Sequence, residues 1–257
     1  ALDLAESNFR GLVIWQDSHP FSAGAEGDPV NLAKKRTVTF WNRKIVLVST
    51  DRVTLALLVG EWLKLATQPL EWCHIYAPVV PQHLALELVQ CPAPYLLGIA
   101  RETLRAARAV PPADAVVVDL DSGAVRVPSE LKALLPAAAG LTKELVSTLQ
   151  PHSSCCDSVG ILGPRGSSEV LTICQNFVRN LLTPVSKCVV VLEAADELLV
   201  ALDEEKFVRK ARDALCPSNS DELILTTADR FLRLFVRSQS FSEDLLTTVS
   251  RARGDKD

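Results

Sequence analysis

The sequence contains no methionine, not even at position 1. Either it is an internal piece of a longer chain, or methionines have been lost from it, in which case the spacings hide small deletions. Histidine is scarce, at 4 residues, and no CxxC pair occurs. The 7 cysteines (Cys73, Cys91, Cys155, Cys156, Cys174, Cys188 and Cys216) are an odd number. Adjacent Cys155 and Cys156 make a poor ligand pair, so neither a zinc site nor a disulfide framework is expected. Several of the other cysteines sit among apolar residues and read as core thiols of a reducing, cytoplasmic compartment. Basic excess is missing too: Lys+Arg is 27 against Asp+Glu 31, a formal net charge of −4. A field suited to nucleic acid or to an anionic membrane surface is thereby excluded. No uninterrupted apolar run reaches the ~18 residues a membrane span requires. Residues Ala1–Arg10 are polar-interrupted and lack the basic start of a signal peptide.

Catalytic signatures are absent as well. No GxGxxG follows a strand, and no GxSxG occurs, so a dinucleotide fold and a hydrolase elbow are unsupported. Gly163-Pro-Arg-Gly-Ser-Ser168 lacks the spacing and lysine of a phosphate loop and reads as surface loop. No metal site, cofactor or catalytic residue is expected.

What remains is ordinary globular material, 257 residues with 48% hydrophobic and 23% charged. That length buries a core without staples. Residues 1–29 form an unassigned remnant ending in the loop-like Phe21–Pro29. Val30–Trp41 reads as a helix. Lys44–Ser49 (KIVLVS) is a buried strand, and Arg52–Thr67 a buried helix capped by Thr50 and Asp51 and stopped near Pro69. His74–Ala77, Tyr95–Ile99 and Ala115–Leu120 are further strands. His83–Leu88 and Arg101–Ala109 are short helices, and Asp121-Ser122-Gly123 closes a turn. Strand and helix alternate, which predicts an α/β lobe over 30–128 with a largely parallel sheet and flanking helices. From 129 to 257 the pattern is mostly helical: Leu131–Leu149, Glu169–Leu182, Glu193–Leu202, Glu204–Leu215, Asp221–Ser238 and Phe241–Arg253. Asp221 and Ser240 are the expected N-caps.

Three groups of side chains could carry chemistry. Asp119 and Asp121 end a strand, where α/β sheets place ligands, and could bind Mg²⁺ or act as acid and base. The plainer reading is a strand-ending turn in which Asp121 bonds its own backbone. His74 and His83 either bracket a site or serve the core. Arg230, Arg233 and Arg237 either grip an acidic partner or form a solvated face.

Four blocks are more specific. Lys44-Ile-Val-Leu-Val-Ser-Thr-Asp51 is followed by a helix and then by Pro69-Leu-Glu-Trp-Cys-His-Ile-Tyr-Ala-Pro-Val-Val-Pro81. Next come Cys91-Pro-Ala-Pro-Tyr-Leu-Leu-Gly-Ile99 and Val116-Val-Val-Asp-Leu-Asp121. In order and spacing this resembles the central part of a DENN domain. Phe207 and Phe231-Leu-Arg-Leu-Phe-Val-Arg-Ser-Gln-Ser-Phe241 resemble the downstream DENN segment, with Ser238 where threonine is usual. The longin-like lobe that normally opens a DENN module finds no clear pattern in the 29 residues before the match. It is missing, cut away or supplied by another chain. The Leu149–Glu169 loop also lacks the aromatic pattern expected there.

The resemblance implies guanine-nucleotide exchange on a small GTPase of the Rab class, a task without covalent chemistry. It implies as an alternative a non-catalytic scaffold paired with another DENN- or longin-containing chain, recruited from the cytoplasm to vesicles or lysosomes. GTPase contacts are expected at Asp51, Arg52 and Val53 and near Asp119 and Asp121. Trp72, Pro78, Pro81, Pro94 and Gly98 are expected to be scaffold. Trp72 should lock the long helix against the sheet. The prolines should fix strand exits, and Gly98 should mark a close backbone approach.

Overall fold

The computed structural model describes residues 43–50, 53–132, 164–194, 197–216 and 220–254, together with 134, 141, 144–145 and 147–148. The helix expected over Val30–Trp41 lies outside them.

The first described strand, β1 (Lys44–Ser49), is the β-branched run of the sequence, and five of its six residues are buried. Helix α1 (Val53–Ala66) follows, then the short β2 (Ile75–Ala77). A 3-10 turn at Gln82–Leu84 leads into α2 (Ala85–Val89). Strand β3 (Tyr95–Ala100) runs directly into α3 (Arg101–Ala106), and β4 (Val116–Asp119) turns back into β5 (Val125–Arg126). The strands form one sheet in the order β2-β3-β1-β4-β5. All neighbours are parallel except β4 and β5, whose antiparallel pairing adds an edge strand that the sequence did not reveal. Gly123 makes that return possible, with φ at 74° and its amide donating to the Asp119 carbonyl at 2.9 Å.

Alternation along β1 divides the core. Ile45 and Leu47 join one cluster, and Val46 and Val48 another. The second cluster holds Tyr95, Leu97 and Ile99 of β3 with Ala85 and Val89 of α2. Tyr95 is fully buried, and its hydroxyl donates to the Val89 carbonyl at 2.9 Å. Burial pushes its phenol pKa up to about 12. The first cluster takes Leu55, Val59 and Leu63 from α1 and continues into the helical part.

That part comprises α4 (Ser129–Lys132), α5 (Pro164–Leu182), α6 (Glu204–Leu215), α7 (Glu222–Val236) and α8 (Gln239–Gly254). Val178, Leu181, Phe207, Phe231, Leu232, Phe235 and Phe241 extend the first cluster. Phe241 meets Phe207 and Phe235 at ring-centroid distances of 5.5 and 5.1 Å. Asp203 caps α6, its carboxylate accepting from the Lys206 amide at 3.0 Å.

Several sequence expectations change here. Glu193–Leu202 is not a helix. It belongs to an antiparallel hairpin of β6 (Val189–Ala194) and β7 (Glu197–Leu202), registered from Val189↔Leu202 to Ala194↔Glu197. The β-branched run Val189–Val191 favours pairing with β7, and the local helix preference of Glu193 and Ala194 is overruled by it. Residues Pro164–Ser168 are not loop but the start of α5, where a proline in the first turn costs no hydrogen bond. Ser240 lies inside α8, and Ser238 serves as the cap. Its hydroxyl donates to the Phe235 carbonyl at 2.7 Å and accepts from the Phe241 amide at 3.4 Å.

Candidate functional site at the strand ends

Parallel strands bring their carboxyl ends to one edge of a sheet. Register sets Ser49 beside Ala100 and Val48 beside Asp119, so the residues that follow β1, β3 and β4 meet over the end of β1. Side chains from all three strand ends interlock there.

Asp121 reaches back across the turn to β1. Its Oδ1 accepts from the Ser49 hydroxyl at 2.9 Å. Its Oδ2 accepts from the Thr50 amide at 2.6 Å and the Thr50 hydroxyl at 2.7 Å. These bonds tie the Asp121 carboxylate to the end of β1, while Asp119 bonds the backbone of the turn, its Oδ1 accepting from the Asp121 amide at 3.1 Å. Arg101, the first residue of α3, spans the end of β1. Its Nη2 donates to Asp119 Oδ1 at 2.7 Å and lies 3.5 Å from Asp121 Oδ2, while its Nε donates to Thr50 Oγ1 at 3.2 Å.

Burial works against the charged form of both carboxylates, but their hydrogen bonds overcome it. Bonds from Arg101, Ser122 and the Asp121 amide hold Asp119 below the usual carboxylate range. Bonds from Thr50, Ser49 and Arg101 do the same for Asp121. The Arg101 guanidinium is in turn pushed up, chiefly by Asp119. Both acids thus stay ionised and committed to a cation of their own chain, which leaves little for Mg²⁺ or for proton transfer. Among the described residues, no group of three or more His, Cys, Asp or Glu side chains could hold a metal ion.

The remaining candidates separate. Asp51 and Arg52 lie outside the described residues, and Val53 is known as the first residue of α1. His74 packs edge-on against Trp72, with ring centroids 5.3 Å apart, and burial lowers its pKa. His83 is exposed in the 3-10 turn. Arg233 forks onto Glu205 at 2.7 and 2.9 Å, and Arg237 lies 3.7 Å from Glu204, so these two arginines face their own α6.

The residues expected to be scaffold lie along β2 and β3, with Trp72 and Pro94 toward the amino ends of those strands. Half-buried Trp72 packs on the core, and its indole N–H donates to the Ile75 carbonyl at 3.2 Å. Pro81 precedes the 3-10 turn in extended conformation, with φ −65° and ψ 150°. Pro78 follows β2, and a β-carbon on Gly98 would collide with its carbonyl oxygen. The Val80 amide completes the link by donating to the Gly98 carbonyl at 2.9 Å. Pro94 immediately precedes β3.

Sequence reasoning found the two acids but missed Ser49, Thr50 and Arg101 as their partners. The available signal was positional, since Ser49 ends one parallel strand and Arg101 follows another.

Comparison with known proteins places these features. Residues 30–123 match the family model described as the DENN (AEX-3) domain. The chain is 26% identical over 205 residues to DENN domain-containing protein 2A of Mus musculus, covering 77% of this chain and 19% of that protein. It is 25% identical over 238 residues to DENN domain-containing protein 2B of Homo sapiens, covering 87% of this chain and 18% of that protein. A third relative, DENN domain-containing protein 1B of Mus musculus, is 32% identical over 111 residues, covering 43% of this chain and 14% of that protein. The chain thus spans less than a fifth of the length of these relatives. The four strand-centred blocks that resemble the central DENN part all fall inside the matched segment, so the likeness to DENN domains is carried by residues 30–123.

Proposed function

We propose that this DENN module acts on a small GTPase of the Rab class, as a guanine-nucleotide exchange factor or as part of one. The observation that carries the reading is the DENN match over residues 30–123. The network at the carboxyl ends of β1, β3 and β4 lies inside that segment. An exchange factor needs no bond-making groups. It binds the nucleotide-free GTPase more tightly than the loaded one, and that difference alone shifts the equilibrium.

In this reading the GTPase meets the start of α1, at Asp51, Arg52 and Val53, and the neighbouring edge formed by Thr50, Asp119 and Asp121. The two acids contribute by holding that edge in shape, because their oxygens are already engaged. Thr50 is exposed and offers the partner the rigid rim of the network. Among the described residues no helix is long and apolar enough to cross a membrane.

The test is mant-GDP release from a panel of Rab proteins by the full-length protein that contains this chain. Acceleration of at least one Rab is expected. A full-length protein that accelerates none, yet co-purifies with a second DENN- or longin-containing chain, would replace this reading with that of a scaffold subunit.

A further inference from the structure

Thr50 directly follows β1, and the Asp121 carboxylate takes its amide, at 2.6 Å. The Thr50 hydroxyl is held on both sides, donating to Asp121 and accepting from Arg101 Nε. Arg101 also fixes Asp119, which in turn takes the Asp121 amide. One guanidinium therefore ties three strand ends together. We infer that Arg101 is the positioning residue for Thr50, so that Arg101 sets affinity for a GTPase docking at the Thr50 rim without lying in the contact itself.

This deepens the exchange reading and rests on it. The geometry asks for arginine in particular. Nε and Nη2 serve different partners from one planar group, and the point charge of a lysine cannot reproduce that fork. The Arg101 side chain keeps 32% of its surface exposed, so its replacement leaves no buried cavity.

The experiment uses wild type, Arg101→Gln, Arg101→Lys and, as a control on the exposed face of the same helix, Arg105→Gln. Two readouts are needed. In the free protein, the amide proton shift and hydrogen exchange of Thr50 are followed by NMR. With the responsive Rab, mant-GDP release is titrated to separate half-saturation from maximal rate. Arg101→Gln should remove the downfield shift expected of an amide on a carboxylate, and should speed Thr50 exchange about tenfold, the scale of losing a charge-assisted hydrogen bond. Half-saturation should rise by a similar factor with the maximal rate little changed. Arg101→Lys should restore melting temperature but neither the Thr50 shift nor the half-saturation, and Arg105→Gln should match wild type. An unchanged Thr50 amide in Arg101→Gln overturns the inference, as does an altered amide with unchanged half-saturation. A wild-type protein inert toward every Rab sinks the exchange reading instead. The amide measurements alone then decide whether Arg101 holds Thr50.

Discussion

Gly98 and Pro78 make backbone-to-backbone contact: the face of Gly98 that would carry a side chain is filled by the Pro78 carbonyl. The contact seats the segment after β2 on β3 and explains a glycine within a strand whose other residues are large or apolar and mostly buried. Ala56 of α1 closes the same space, its β-carbon 2.9 Å from where a Gly98 β-carbon would stand. Gly98→Ala must therefore push the backbone, not a flexible side-chain tip. A loss at or above the ~1–3 kcal/mol typical of overpacking is expected, read as a lower urea midpoint. A variant with wild-type stability would mean the Pro78–Val80 segment can move aside.

Trp72 is half-buried, which sets its replacement below the full core case. Trp72→Ala should cost ~2–3 kcal/mol, less than the ~3–5 of a fully buried aromatic, because part of the indole is already in water. Trp72→Phe keeps most of the ring contact and gives up the bond to the Ile75 carbonyl, for ~1 kcal/mol. Melting temperatures of the pair separate packing from hydrogen bonding.

Asp119 and Asp121 make a pH prediction with a definite sign. Both are held below their ordinary values in the folded chain, so the unfolded chain takes up protons first as pH falls. Their stabilisation is fully present above the unfolded-state value of about 3.9, and is lost as pH drops through the lower folded-state values. Asp121→Asn should thus be less stable than wild type near neutral pH, with the gap closing in acid below about pH 4. Urea unfolding across that range checks it, and a gap independent of pH would assign the effect to shape instead of charge.

Ser238 is buried between α7 and α8 and holds both. Ser238→Ala should cost ~1 kcal/mol, the usual value of a lost N-cap. Phe207→Ala and Phe241→Ala, which open the aromatic cluster beneath, should each cost ~3–5 kcal/mol. Chemical denaturation of the three variants ranks them. If Ser238→Ala proved as damaging as Phe241→Ala, the Phe241 amide left without an acceptor would matter more than the packing of its ring.

The central strands were legible because a buried parallel strand is a short apolar β-branched run, and β1, β3 and β4 are that. Trp72 and Gly98 stood out because their residue types are costly where they occur. The β6–β7 hairpin was hidden by Glu193, Ala194 and Ala195, whose local helix preference gives no hint of the partner strand. The strand-end network was half legible. Asp119 and Asp121 are close in sequence and end a visible strand, but Arg101 joins them only after β3 and β4 have taken places on opposite sides of β1. A register between distant segments decides that, and no local pattern encodes it.

That arrangement has a further consequence for how the lobe comes into being. Of the three central strands, the first in sequence is innermost, and its partners on either flank arrive only with Tyr95–Ala100 and Val116–Asp119. A nascent chain that has emerged only through α2 therefore carries Ile-Val-Leu-Val with both edges open, the kind of segment that recruits foreign strands. Such non-local parallel closure is slow. Shortened versions of the protein that stop before Val116 should collect in inclusion bodies, whereas those running past Arg126 have the pieces to seal the sheet.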